Sequence, residues 1–298
     1  MSVTRRAVLK GLVAAGTAAT AGAPVAFAAP RERKKPAPDA VGMLYDATRC
    51  IGCKACVVAC KEANGLPPDP GPATGGMYDA PIDLSDRTKN VIKLYREGGR
   101  ISYMKAQCMH CVDPACASVC MISALHKGKY GIVEYDPDKC VGCRYCQIAC
   151  PFNVPKYEWS KAFPKIVKCE MCRHLQAQGK GPACCAVCPR EAVIFGPVDR
   201  LLTDARGRLQ REPARYHPKV YGEKDVGGTQ VLYLSAAGIP FEKLGLPALG
   251  DQPVPEFTES LQHAIYQGFI APVVLYSALG LVMYRNRRKR PAGEEGEG

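Results

Sequence analysis

Sixteen of the chain's 17 cysteines fall into four quartets. These are Cys50, Cys53, Cys56, Cys60; Cys108, Cys111, Cys116, Cys120; Cys140, Cys143, Cys146, Cys150; and Cys169, Cys172, Cys184, Cys188. The first and third run C-x2-C-x2-C-x3-C, the spacing with which thiolates wrap a cubane iron–sulfur cluster. Three close thiolates grip one cluster, and the fourth points away toward a neighbouring one. Four quartets therefore predict four 4Fe–4S clusters, and four one-electron carriers in one chain predict a wire. The second (C-x2-C-x4-C-x3-C) and fourth (C-x2-C-x11-C-x3-C) would read as zinc sites if met alone. They take the iron–sulfur reading from their company and from the shared C-x3-C ending. With its longer middle spacing, quartet two is the site where a 3Fe–4S form is expected if any cluster deviates.

Two other chemistries compete. A disulfide framework suits secreted chains of under about 100 residues, and this one has 298. Zinc takes its ligands in two pairs, so a third cysteine in one tight C-x2-C-x2-C loop is surplus. Gly52 and Gly142 each precede the second cysteine of their quartet. A residue without Cβ permits a positive φ there and lets backbone N–H groups approach cluster sulfurs. Pro151 and Pro189 follow the last cysteine of quartets three and four, as in the ferredoxin run, whereas Lys61 and Met121 depart from it. Cys185 is read as spare.

The elements that must hold these loops are short. Strands are expected at 43–46, 131–136, 192–196 and 230–234, and a hairpin over 91–95 and 101–104 turning at Gly98-Gly99. Residues 198–212 form an amphipathic helix with Leu201, Leu202, Ala205 and Leu209 on one face. Quartets two and three are only 19 residues apart and make one two-cluster unit, 104–152. Quartets one and four then pair by elimination. The predicted fold is α+β: two ferredoxin-like two-cluster units (quartets 1+4 and 2+3), a cluster domain over 41–258, and a C-terminal transmembrane helix. Crossed ligation follows. Each cluster takes three cysteines of one quartet and the last of its partner: Cys50, Cys53, Cys56 with Cys188; Cys169, Cys172, Cys184 with Cys60; Cys108, Cys111, Cys116 with Cys150; Cys140, Cys143, Cys146 with Cys120.

Both ends of the chain carry addresses. Residues 1–28 have Arg5-Arg6, an Ala/Gly-rich middle and an Ala26-Phe27-Ala28 cleavage site, the anatomy of a twin-arginine signal peptide. A linker covers 29–40. Residues 260–284 carry no Asp, Glu, Lys or Arg. Their apolar core, 264–284, would span about 31 Å as a helix, against a hydrocarbon core of about 30 Å. The tail 285–298 opens with five cations in six residues, which predicts a cytoplasmic tail. The expected placement is therefore the inner membrane, anchored by one C-terminal helix, with the cluster domain in the periplasm.

The formal charge of +12 falls to +7 without the signal's three cations and the tail's five cations and three anions. Each oxidised cubane with four thiolates brings about −2, so a loaded body is near neutral and the basic residues balance clusters. No basic stripe with interleaved aromatics marks a nucleic-acid surface. Nor does any G-x-G-x-x-G or P-loop appear, and no catalytic residue is assigned. His110, His126, His174 and His217 are read as structural; His263, near the expected membrane boundary, is a candidate to approach a quinone or haem.

The whole chain resembles the ferredoxin-type subunits of exported membrane oxidoreductases. The closest likeness is to the four-cluster subunit of periplasm-facing nickel–iron hydrogenases of the hydrogenase-2 type. It rests on Gly42-Met43-Leu44-Tyr45-Asp46, Gln107-Cys108-Met109-His110-Cys111-Val112-Asp113-Pro114, Gly142-Cys143-Arg144-Tyr145-Cys146 and Val154-Pro155-Lys156-Tyr157. It continues through Ala192-Val193-Ile194-Phe195-Gly196, Tyr221-Gly222-Glu223-Lys224 and Gly227-Gly228-Thr229-Gln230-Val231-Leu232. Formate dehydrogenase β-subunits share the quartets. The resemblance implies electron transfer between a hydrogenase small subunit and an integral membrane quinone-reactive subunit. The alternatives are a β-subunit of a formate dehydrogenase or other molybdopterin oxidoreductase, and a zinc-stapled membrane anchor. If the paired arginines are the export address, the double variant Arg5→Lys, Arg6→Lys leaves loaded precursor in the cytoplasm, as cell fractionation would read.

Overall fold

A computed structural model of the chain describes residues 32–68 and 81–288, with side chains left out at 257, 259–271 and 286–288. The expected signal peptide, part of the linker and most of the basic tail lie outside the described residues. Two compact units separate, one of them comprising Arg33–Pro255.

That unit is organised on a three-stranded sheet whose middle strand is β1 (Val41–Asp46). It pairs antiparallel with β8 (Val193–Pro197) and parallel with β9 (Val231–Leu234). Five of the six β1 residues are buried, because both faces of the sheet are covered. Strand alternation then sorts the side chains. Met43, Tyr45, Val231 and Tyr233 join the core that contains Cys56 and Cys184. Leu44, Leu232 and Leu234 face the opposite way, against Leu201 and Ala205. Those two belong to a helix over Val198–Arg211 that starts directly from β8. Gly42 is required by contact: a Cβ there would lie 2.0 Å from the Gln230 carbonyl oxygen.

Three smaller two-stranded sheets accompany it among the described residues, one of them β6 (Lys156–Tyr157) paired antiparallel with β7 (Ile166–Val167). β2 (Val91–Glu97) and β3 (Arg100–Ala106) pair antiparallel through the expected Gly98-Gly99 turn, with φ of 55° and 77°, the two positive values a type I′ hairpin needs. β4 (Leu125–Lys127) and β5 (Val133–Tyr135) form another, inside the inner cysteine unit. Short helices pair in the same symmetric way. The helix over Ala55–Ala63 packs on that over Ala183–Ala186, and Ala115–Ser118 on Tyr145–Ala149. Quartet one thus meets quartet four, and quartet two meets quartet three. The α+β, ferredoxin-like part of the expected fold class is what the structure has.

The membrane part is corrected. Among the described residues no helix is long and apolar enough to cross a membrane. The C-terminal helix covers Val254–Arg288 with Pro272 inside it. The expected transmembrane helix over 260–284 is therefore not supported. The inner-membrane placement, with that helix as anchor and the cluster domain on the periplasmic side, goes with it.

One buried ion pair ties the helix over Val198–Arg211 to the sheet. Asp46, fully buried, accepts hydrogen bonds from Arg208 at 2.9 Å, from the Tyr216 hydroxyl at 2.9 Å and from the Thr48 hydroxyl at 2.6 Å. Arg208 was not legible on the helix's buried face, yet it is only 8% exposed. Arg208 also holds Asp204 at 2.6 Å, so Asp46→Asn removes one of the guanidinium's two carboxylate partners and should cost about 1–3 kcal/mol, read in denaturant unfolding. The double variant Asp46→Asn, Arg208→Met should recover part of the loss.

Candidate iron–sulfur centres

The four cysteine loops share a backbone feature. In each, the residue before the second cysteine has a positive φ: Gly52 at 72°, His110 at 47°, Gly142 at 71° and Met171 at 50°. Only two of the four are glycine. For His110 and Met171 the left-handed conformation is a real cost, kept at sites whose function needs the turn. In quartets one and three a second left-handed residue follows, Lys54 (59°) and Arg144 (67°), immediately before the helix carrying the later cysteines. Sequence reading found the two glycines; nothing in the residue types of the other four announces the conformation.

These turns aim backbone N–H groups at sulfur. Gly52 N–H donates to Cys50 Sγ at 3.5 Å and Met171 N–H to Cys169 Sγ at 3.4 Å. The last cysteines of quartets two and four are served by the strands that follow them: Leu125 N–H reaches Cys120 Sγ at 3.5 Å, and Ala192 N–H reaches Cys188 Sγ at 3.3 Å. Asn64 lies 3.7 Å from Cys60 Sγ and 3.9 Å from Cys172 Sγ, and so touches quartets one and four together. The Tyr157 hydroxyl sits 3.1 Å from Cys146 Sγ.

The cysteines gather across quartets. One cavity is lined by Cys50, Cys53, Cys56 and Cys188, and another by Cys140, Cys143, Cys146 and Cys120. Each takes three cysteines from one quartet and the last from its partner. The other eight are mostly buried and act on one another as well as on the first eight: Cys184 raises Cys56, and Cys108 raises Cys169. Cys108 and Cys150 raise Cys116, while Cys184 and Cys172 raise Cys60, and Cys60 in turn raises Cys169. Cys185, predicted to be spare, lies against Cys184 and hydrogen-bonds it.

Burial sets the chemistry of these thiols. It pushes Cys56 up to about 12 and Cys150 up to about 11, and it raises Cys111, Cys116 and Cys169 strongly. Cys184 goes the other way, to about 6, through its hydrogen bond with Cys185 and, against the effect of burial, the charge of Lys105. Thiols that resist ionisation to this degree become ligands only when a bound cation compensates the thiolate, with proton release. Among the described residues no three His, Cys, Asp or Glu side chains converge closely enough to hold a single metal ion. A structural zinc needs four sulfurs about 2.3 Å from one ion; sulfurs that ring a cavity suit a polynuclear cluster instead.

The remaining donors fit such a group. His110 is fully buried; its Nδ1 accepts from the Val133 N–H at 3.1 Å, so its proton sits on Nε2, which is buried with no partner in the protein. A sulfide-rich cluster would satisfy a donor of that kind. The other histidines have ordinary structural contacts. His126 meets the Ser123 carbonyl, His174 the Ala63 carbonyl at 2.8 Å, and His217 stands edge-on to Phe241. The side chain of His263 lies outside the described residues.

Known proteins share these features. The family described as 4Fe-4S dicluster domain matches residues 100–198, and the one described as 4Fe-4S binding domain matches residues 41–62. Together they include all sixteen quartet cysteines. The hydrogenase-2 operon protein HybA of Escherichia coli O157:H7 is 39% identical over 92% of this chain and 93% of its own length. The iron–sulfur subunit of the nitrate-inducible formate dehydrogenase of Escherichia coli strain K12 is 38% identical over 70% of this chain and 72% of its own. That of the Haemophilus influenzae formate dehydrogenase is 35% identical over 71% and 72%. The chain belongs to this family of ferredoxin-type iron–sulfur electron-transfer subunits of the hydrogenase and formate dehydrogenase type.

Proposed function

We propose that this chain relays electrons between a periplasmic hydrogenase and a membrane quinone-reactive subunit, through four 4Fe–4S clusters held by crossed ligation. The observation that carries the reading is the composition of the two cysteine-lined cavities, three from one quartet and one from the other. Bound clusters would supply reversible one-electron storage. The chain itself contributes thiolates and N–H donors at about 3.4 Å, with half of the sixteen cysteines buried. The hydrogenase side is preferred to formate dehydrogenase because the hydrogenase-2 relative is matched along 92% of this chain and the formate dehydrogenase relatives along 70–71%. On this reading 1–28 is an export signal, 41–258 the cluster domain with 104–152 as its inner unit, and the hydrogenase small subunit the partner on one side.

Anaerobically purified chain should hold about 16 iron atoms with matching acid-labile sulfide; zinc in place of iron would return the scaffold reading. Crossed ligation has its own signature. Cys120→Ser should alter the paramagnetic signal of the cluster at Cys140, Cys143 and Cys146, and Cys188→Ser that of the cluster at Cys50, Cys53 and Cys56. If each substitution changed only the cluster of its own quartet, the pairing would be wrong. Deleting the chain should abolish hydrogen-to-quinone transfer in membranes while leaving hydrogen oxidation by a soluble dye. Loss of formate-to-quinone transfer instead would reassign the chain to a formate dehydrogenase.

A further inference from the structure

Strand β3 carries a residue whose position its sequence does not announce. Lys105 is fully buried, with 0% of its surface exposed. Its Nζ donates to the Gln107 Oε1, and its carbonyl accepts the Tyr233 hydroxyl at 2.7 Å. A neutral amide is a poor counterpart for a buried ammonium, whose desolvation must be met by negative charge. Among the described residues the buried carboxylates are already matched: Asp46 by Arg208, Asp113 by Lys34 and Asp225 by Lys219. What surrounds Lys105 is sulfur. It lines the cavity of Cys50, Cys53, Cys56 and Cys188, and its charge also acts on Cys60, Cys169 and Cys184 of the partner site. One cation therefore serves both sulfur sets of the quartet 1+4 pair. The quartet 2+3 pair has cations of its own in Lys168 and Lys127, which act on Cys116 and on Cys108 and Cys111.

We propose that Lys105 is a shared, fixed cation that sets the reduction potentials of the two clusters of the quartet 1+4 pair together, holding both higher than they would otherwise stand. The inference rests on the reading that these sixteen cysteines hold clusters. Its physics is simple. Reduction adds one electron to a cluster and moves no proton and no bond. A positive charge held in low dielectric beside that cluster stabilises the reduced form more than the oxidised one. Because Lys105 lines the cavity of one sulfur set and its charge reaches the other, its removal should move both potentials in the same direction. The inner pair, balanced by its own lysines, should stay in place.

The test is an anaerobic redox titration of the full chain, followed by paramagnetic resonance, for native protein, Lys105→Gln and Lys105→Arg. Cys188→Ser and Cys60→Ser identify the signals of the quartet 1+4 pair. Lys105→Gln should lower both of those midpoints. At the potential where the native clusters are half reduced, the ratio of reduced to oxidised form should fall about tenfold, a shift of about 59 mV for one electron. Lys105→Arg should restore them, and the inner pair should not move. Unchanged outer midpoints in a fully iron-loaded Lys105→Gln protein would overturn the proposal, as would an equal shift of all four clusters. Should Lys105→Gln lose the outer iron while Lys105→Arg keeps both iron and potentials, the charge is what the pair needs, and the proposal stands. Loss of iron in both variants would make Lys105 a packing residue only. Native protein without iron would sink the cluster reading itself, a failure separable from silence at Lys105.

Discussion

The quartet cysteines are spread over three packed clusters of the core, and burial drives many of their thiols to higher pKa, Cys56 to about 12 and Cys150 to about 11. Such a core is uncomfortable as a set of bare thiols and more so as bare thiolates. It becomes coherent once positive charge stands among the sulfurs. The protein contributes part of that charge from three lysines, of which Lys105 is fully buried and Lys168 nearly so. The larger share falls to the iron that such cysteine spacings hold. Stability and function therefore rest on the same balance of charge.

The fold is arranged around that constraint. The central sheet divides its side chains by simple alternation, so that Met43, Tyr45 and Tyr233 back the cysteine core while Leu44, Leu232 and Leu234 receive the helix over Val198–Arg211. A strand with both faces occupied has no room for error in register. Gly42, with the Gln230 carbonyl pressed against it, locks β1 beside β9. The Asp46–Arg208 pair then closes the far side. The sheet holds quartets one and four at a fixed separation, and the β4–β5 hairpin supports quartets two and three. The crossed ligation proposed for the four sites suits a relay, since each site would share a peptide segment with its neighbour.

Family membership and fold point the same way about chemistry. The hydrogenase-2 and formate dehydrogenase relatives are 39% and 38% identical to this chain, so identity alone does not distinguish them. The C-terminal helix is a separate matter. Its sequence invited a membrane reading, and no described helix is long and apolar enough for it. Charge-free composition over 25 residues states what a segment lacks; it does not establish the uninterrupted apolar length that a hydrocarbon core demands.

Local chemistry was legible in the sequence. Cysteine spacing is a local property, so the quartets and the iron–sulfur reading followed from residue order alone, as did the Gly98-Gly99 hairpin, whose turn needs two positive φ angles that glycine provides without strain. The glycines at 52 and 142 gave away half of the left-handed cluster turns. The other half, at His110 and Met171, stayed hidden because a residue with a Cβ adopts that conformation only where surrounding contacts over-determine it. Lys105 and Arg208 were hidden for a related reason. A lysine on an alternating strand and an arginine on an amphipathic helix read as solvent-facing, and only the tertiary structure supplies the buried counter-charges, brought from distant parts of the chain, that make their burial favourable.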